Sequence, residues 1–137
     1  VDVDGMCNFI DTNGNLLSPG QWFNNCGLFS GGFALVRLDR KWNYIDTKGN
    51  IVSSDQWFDY AYYFREGFAG VELNGKWNFI DTNGNLLSPD QWFDYAYNFH
   101  EGFAKVELNG KWYYIDRKGN LYDKDKNKIL DKRSNSD

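Results

Sequence analysis

Carboxylates recur at fixed positions of the chain, Asp46, Asp81 and Asp116 at one and Glu66 and Glu101 at another. Paired acids can perform general acid–base work when their environments differ. Identical acids in identical contexts do not supply that difference. They are read as residues that hold turns and cap hairpins. His100 is the only histidine, and Ser30 and Arg65 fill its place elsewhere in the chain. A position that accepts serine, arginine or histidine reads as a solvated strand residue rather than a base or ligand. No G-x-S-x-G, H-E-x-x-H or phosphate-loop pattern occurs. No catalytic residue is therefore assigned.

Metal chemistry fares no better. D-T-N-G-N opens like a calcium loop, but Lys48 and Lys118 replace its middle asparagine in two copies. A cation cannot serve as a ligand. Asp123, Asp125 and Asn127 have the right alternate spacing, yet Lys128 stands where such a loop needs glycine. No metal and no cofactor is expected. Two cysteines, Cys7 and Cys26, are too few for a zinc site. Both are anomalies of one repeat, taking the places of Trp and of Ala, and are read as a possible disulfide.

Tyrosines remain. Tyr60, Tyr62, Tyr95 and Tyr97 alternate with small or acidic residues. Tyrosine suits a half-wet contact, with an apolar ring and a polar tip. These four are the ligand-contact candidates, set in a row suited to a polymer or an extended partner.

The row follows from repetition. Residues 41–75 and 76–110 align without a gap over 35 residues each. A weaker copy precedes them at 6–40, and a partial one follows at 111–122. Residues 1–122 are read as the repeat array and 123–137 as a polar C-terminal tail. Trp42, Trp77 and Trp112 share one position; Trp22, Trp57 and Trp92 share another. Asn24, Asn25 and Gly27 replace Asp, Tyr and Tyr in the first copy, which reads as an end cap.

Within a repeat, apolar and polar residues alternate on both sides of Asn74-Gly75, the strongest short signal for a type I′ hairpin. Pairing across it sets Leu73 opposite Lys76 and Ala69 opposite Ile80. One face then collects Ala69, Val71 and Ile80, the other Trp77 and Phe79. Both faces are apolar, so neighbouring repeats must cover them. Asp39-Arg40 is a poorer turn and predicts a looser hairpin. Asp81–Asn85 predicts an Asx turn with Gly84 left-handed. Ser88-Pro89-Asp90-Gln91 has the form of a capping box and predicts one helical turn. Period two from Phe93 to Phe99 then favours a strand. The fold class is all-β: an open array of 35-residue antiparallel hairpin repeats, with a short helical turn per repeat. Fewer than four complete units argue against a closed propeller.

The residues EGFAKVELNGKW and YIDRKGN, with the aromatic segment that follows, resemble the bacterial WG repeat family, also called KWG repeats. The resemblance covers about residues 5–122. It implies a non-catalytic architecture, often in surface or secreted bacterial proteins. The glycine that follows Trp in the family is Asn43, Asn78 and Tyr113 here. A narrower stretch, NGKWYYIDRKGNLY, is similar to choline-binding or cell-wall-binding repeats, whose aromatic cages hold cations or sugars.

Composition bounds the partner. The chain has 137 residues and a net charge of −4, which disfavours nucleic acid. No run approaches the ~18 apolar residues of a membrane span. The chain opens on Val1 with no basic-then-apolar run, so no signal peptide is expected within these residues. Its 6 Trp, 9 Tyr and 11 Phe exclude general disorder. The expectation is a non-catalytic, extracytoplasmic module for protein or macromolecular binding or display. A glycan or cell-wall module and a structural spacer are the alternatives.

Overall fold

A computed structural model describes residues 1–129 of the 137. Its strands are, in chain order, β1 (Asp2–Val3), β2 (Met6–Cys7), β3 (Asn25–Cys26), β4 (Phe33–Leu38), β5 (Lys41–Asp46), β6 (Tyr60–Ala61), β7 (Phe68–Leu73), β8 (Lys76–Asp81), β9 (Tyr95–Ala96), β10 (Phe103–Leu108), β11 (Lys111–Asp116) and β12 (Leu121–Tyr122). No helix occurs among the described residues. The strands form small antiparallel sheets: β1-β2, β3-β4-β5, β6-β7-β8 and β12-β11-β10-β9.

The long hairpins obey their turns. Asn74 and Gly75 take φ of 54° and 82°, both left-handed as a type I′ turn requires. The ladder then runs from Leu73↔Lys76 to Phe68↔Asp81, the pairing that the alternation dictates. Asp39 and Arg40 also take positive φ, 51° and 71°. Their hairpin keeps the same six pairs, Leu38↔Lys41 through Phe33↔Asp46. The expected looser hairpin is thus not found. Asn24 Oδ1 accepts the Asp39 amide at 2.7 Å and helps fix the turn. The left-handed arginine costs about 1–2 kcal/mol, which the ladder offsets.

A second two-residue turn occurs in each repeat without an Asn-Gly signal. Glu66-Gly67 and Glu101-Gly102 also have both φ positive. They close the bridges Arg65↔Phe68 and His100↔Phe103. The aromatic segment therefore folds back onto the strand that follows it, and each repeat becomes a meander.

The helical turn is absent. Gln91 N–H meets the Ser88 carbonyl at 3.3 Å, and Gln21 meets Ser18 at 3.1 Å, each a single β-turn. A capping box would need the Gln91 side chain to return to the Ser88 amide. Instead Gln91 Nε2 donates to the Trp92 carbonyl at 2.7 Å, and the Ser88 amide goes to Asn78 Oδ1 at 3.3 Å. The period-two aromatic run then takes the chain into β9.

Neighbouring repeats cover both faces of β7–β8. Ala69, Val71 and Ile80 are buried on one face, Trp77 and Phe79 on the other. Ring contacts run between successive sheets: Phe64 lies 4.7 Å from Tyr44, and Phe99 4.7 Å from Phe68. Backbone bridges Trp42↔Phe58 and Trp77↔Phe93 tie each sheet to the segment that leads into the next sheet. The D-T-N-G-N turn of one repeat seats on its predecessor. A Cβ on Gly84 would lie 2.3 Å from the Val52 carbonyl oxygen, so only glycine fits there.

Regularity also continues past Tyr122. Asp123 Oδ1 accepts the amides of Asp125 (2.9 Å) and Asn127 (2.8 Å), and Lys126 takes a left-handed φ of 66°. This is the Asx turn of the repeats, with Lys126 in the glycine's place. It brings Lys128 into a bridge with Tyr122. Residues 130–137 of the tail lie outside the described residues.

Candidate functional site

The four tyrosines of the alternating segment lie in one aromatic ridge that crosses the repeats. Tyr60 sits 6.4 Å from Trp42 and 6.1 Å from Trp77. Tyr62 stacks on Trp77 at 4.9 Å, and Tyr95 meets the same indole edge-on at 5.3 Å. Tyr97 lies 4.9 Å from Tyr95 and stacks on Trp112 at 5.4 Å. Cations close both ends: the Arg37 guanidinium lies 5.6 Å from the Trp42 ring, and Lys105 Nζ 5.3 Å from the Trp112 ring.

Exposure divides the row. Tyr60 and Tyr97 are 45% and 46% exposed, and Trp112 is 38% exposed. Tyr62 and Tyr95 are half-buried, with their hydroxyls 2.8 Å apart. Burial, and then the hydrogen bond to Tyr95, push the Tyr62 phenol well above its ordinary range. One residue on β7 and its counterpart on β10 differ beside Tyr62 and its counterpart Tyr97. A Cβ on Gly70 would lie 3.0 Å from the Tyr62 ring, so glycine leaves the space in which that ring lies flat on Trp77. Lys105 fills the same position beside Tyr97.

Asp59, Asp94, Glu66 and Asp81 are committed to backbone or lysine. Asp59 holds the Lys41 ammonium with one oxygen and the Asn74 amide with the other, at 2.8 Å. Asp94 does the same for Lys76 and the Asn109 amide, also at 2.8 Å. In each case the lysine, then the amide, holds the carboxyl below its usual range. Glu66 reaches into the next repeat, accepting the amides of Glu101 (2.7 Å) and Gly102 (2.9 Å). Those amides lower its pKa. Asp81 Oδ1 accepts the amides of Asn83 and Asn85 at 2.9 and 3.0 Å. His100 is exposed, 3.8 Å from the Glu101 carboxylate. Among the described residues, no three His, Cys, Asp or Glu side chains gather as a metal site.

The asparagines after Trp, where the WG pattern has glycine, are structural. Asn78 and Asn43 are fully buried. Asn78 Nδ2 donates to the Ser88 carbonyl at 2.8 Å while Oδ1 accepts the Ser88 amide. Asn43 treats Ser53 likewise, and Asn8 treats Ser18. The side-chain amide thus acts as one extra rung of sheet. The signal was present in the sequence, as an Asn ten residues before a Ser in three copies.

Cys7 and Cys26 are joined in a disulfide, with Cα atoms 6.1 Å apart. Their counterparts Trp77 and Ala96 lie in one buried cluster. The crosslink stands where the inner repeats have an indole packed near an alanine.

Among the described residues no helix is long and apolar enough to cross a membrane. No curated protein and no solved structure matches the chain. A family model described as WG containing repeat matches at residues 9–42, 57–77 and 79–112. The glycine turns, the Trp positions and the meander all recur within those spans, and the chain belongs to the WG repeat family.

Proposed function

We propose that this chain is a non-catalytic binding module that holds a protein partner along the aromatic ridge. The observation that carries the reading is the alignment of Tyr60, Tyr97 and Trp112. These large rings are more than one-third exposed, yet are seated on a continuous ladder of other rings. A ring fixed on its neighbours loses little conformational freedom on binding, which favours it as an interface anchor. Glu72 and Glu107, opposite Trp77 and Trp112, add acidic groups beside the ridge.

The repeats are taken as an open array, supported by the unlike surroundings of its ends: Gly14 has no neighbour at the place where Gly84 meets Val52. The engagement of Asp59, Asp81, Asp94 and Glu66 with amides and lysines disfavours a catalytic role for them. The Cys7–Cys26 disulfide supports an extracytoplasmic setting.

A glycan partner is the second reading, on the strength of the stacked Tyr97–Trp112 pair. Capture of partners from bacterial surface extracts by the wild-type chain and by Tyr60→Ser/Tyr97→Ser tests the proposal. Loss of a captured protein in the variant supports it. Equal capture by both chains rejects the ridge. Binding on a glycan array, abolished by the same variant, moves the assignment to sugars.

A further inference from the structure

The outer edge of β11 carries β12 at Tyr114 and Ile115 but, among the described residues, is open at Trp112, where each earlier junction is closed. Cys7 bridges Phe23, Trp42 bridges Phe58 and Trp77 bridges Phe93, each pair exchanging two backbone hydrogen bonds of 2.7–2.9 Å. Those phenylalanines are buried, with at most 2% of their surface exposed. At the two inner junctions the next residue is an acid that takes the preceding lysine: Asp59 with Lys41, Asp94 with Lys76. The residue after it lays a tyrosine ring near the indole, Tyr60 at 6.4 Å from Trp42 and Tyr95 at 5.3 Å from Trp77.

Trp112 and Lys111 hold the corresponding places at the last hairpin. Among the described residues Trp112 makes no such bridge and Lys111 no ion pair. A groove opens instead, lined by Lys105, Lys111, Trp112, Tyr113, Tyr114 and Lys124. The acid on its wall, Asp123, already spends its Oδ1 on the amides of Asp125 and Asn127.

The geometry points to a second binding site here, for an extended peptide of aromatic-acidic-aromatic sequence that adds as a strand to β11. Its aromatic residue pairs with the Trp112 backbone and buries its ring as Phe58 and Phe93 do. Its carboxylate meets Lys111, and its second ring lies against the Trp112 indole. Strand addition draws affinity from main-chain hydrogen bonds and specificity from the alternate side chains. The three lysines match an acidic partner. A second copy of this chain does not supply the segment, since its own Phe23, Phe58 and Phe93 are buried. The site shares Trp112 with the end of the ridge and lies away from Tyr60; it rests on the open Trp112 backbone and Lys111, not on the ridge rings.

The test titrates the ¹⁵N-labelled full chain with the acetylated peptide Gln-Trp-Phe-Asp-Tyr-Ala-Tyr, the sequence of residues 91–97. Saturable shifts are expected at the Lys111 and Trp112 amides and the Trp112 indole. Lys111→Glu should weaken binding about five- to ten-fold, the scale of one exposed ion pair lost and reversed. A peptide with lysine in place of its aspartate should recover affinity for that variant. Absence of saturation at low millimolar peptide overturns the proposal. So does equal affinity for Lys111→Glu, or a shift pattern centred on Tyr60.

Discussion

Asn78 grips Ser88 by both of its backbone groups, with Nδ2 on the carbonyl at 2.8 Å and Oδ1 on the amide at 3.3 Å. The side chain is buried, so removing it strands polar groups of the loop away from water. Asn78→Ala should therefore cost about 2–4 kcal/mol, the sum of a lost buried pair and its desolvated partners. Asn78→Asp should cost at least as much, because a carboxylate cannot donate to the Ser88 carbonyl. Urea unfolding of both variants measures the effect. A change within about 0.5 kcal/mol, as at an ordinary surface site, would show that the rung is not structural.

Gly84 and Gly14 make a matched pair. Both have positive φ, 85° and 83°, so alanine is strained at either. Only at Gly84 does the added methyl meet a backbone oxygen, Val52 O at 2.3 Å. Gly14→Ala should cost about 1–2 kcal/mol from the left-handed backbone alone. Gly84→Ala should cost at least twice that, because the junction between two repeats must open. Equal melting temperatures for the two variants would mean that the repeats do not seat on each other through this turn.

The hairpin register was legible because Asn74-Gly75 admits one turn type and alternation then fixes each pair down to Phe68↔Asp81. The ridge was legible only as a row. Period two tells which residues share a face, but not what covers it. Tyr62 and Tyr97 are counterparts with different exposure, and the difference tracks Gly70 against Lys105 on a strand eight residues further along. The helical turn was misread for a similar reason. Ser88-Pro89-Asp90-Gln91 carries a sound local signature, but a buried asparagine ten residues earlier claims the Ser88 amide. Glu66 likewise reads as turn-forming, and nothing local shows that its carboxylate caps the turn 35 residues on.

Acid should loosen the junctions. Asp59, Asp94 and Glu66 all have pKa values lowered in the folded chain, by lysine and amide partners. The unfolded chain binds protons more readily, so this stability is fully present above the ordinary carboxylate pKa of about 4 and drains as pH falls through the lowered folded values. Melting temperature should stay level from neutrality to about pH 5 and drop below about pH 4. In Asp59→Asn/Asp94→Asn the drop should be shallower. Asparagine still caps the turn, as Asn24 does for Asp39, but carries no charge to lose. An unchanged acid limb in the double variant would remove these two acids from the account.

Stability and binding should separate along the ridge. Tyr60→Ser and Tyr97→Ser remove rings that are nearly half exposed and should leave the melting temperature within a few degrees of wild type. Trp77→Ala empties a site 6% exposed and should cost about 3–5 kcal/mol. Tyr95→Phe should fall between, by about 1 kcal/mol, since it breaks the hydroxyl contact to Tyr62 and keeps the ring. Thermal melts give the ranking. A Tyr97→Ser variant as unstable as Trp77→Ala would place that ring in the core and remove it from any interface.

The disulfide should matter most to one end of the molecule. The first repeat lacks the indole that Trp77 supplies elsewhere, and has Asn25 and Gly27 where Tyr95 and Tyr97 stand in the third. It therefore buries less ring surface, and the Cys7–Cys26 link across 19 residues is the substitute. Closing a loop of that size is worth about 3 kcal/mol on the chain-entropy scale. In a repeat architecture that loss falls on the unit concerned and its neighbour before it reaches the rest. Under reduction, amide exchange should accelerate through β2, β3 and β4, while β7 and β8 stay protected. Thiol titration of the unreduced protein in denaturant should find no free thiol. Two free thiols, or uniform loss of protection on reduction, would show that the first repeat does not depend on the crosslink.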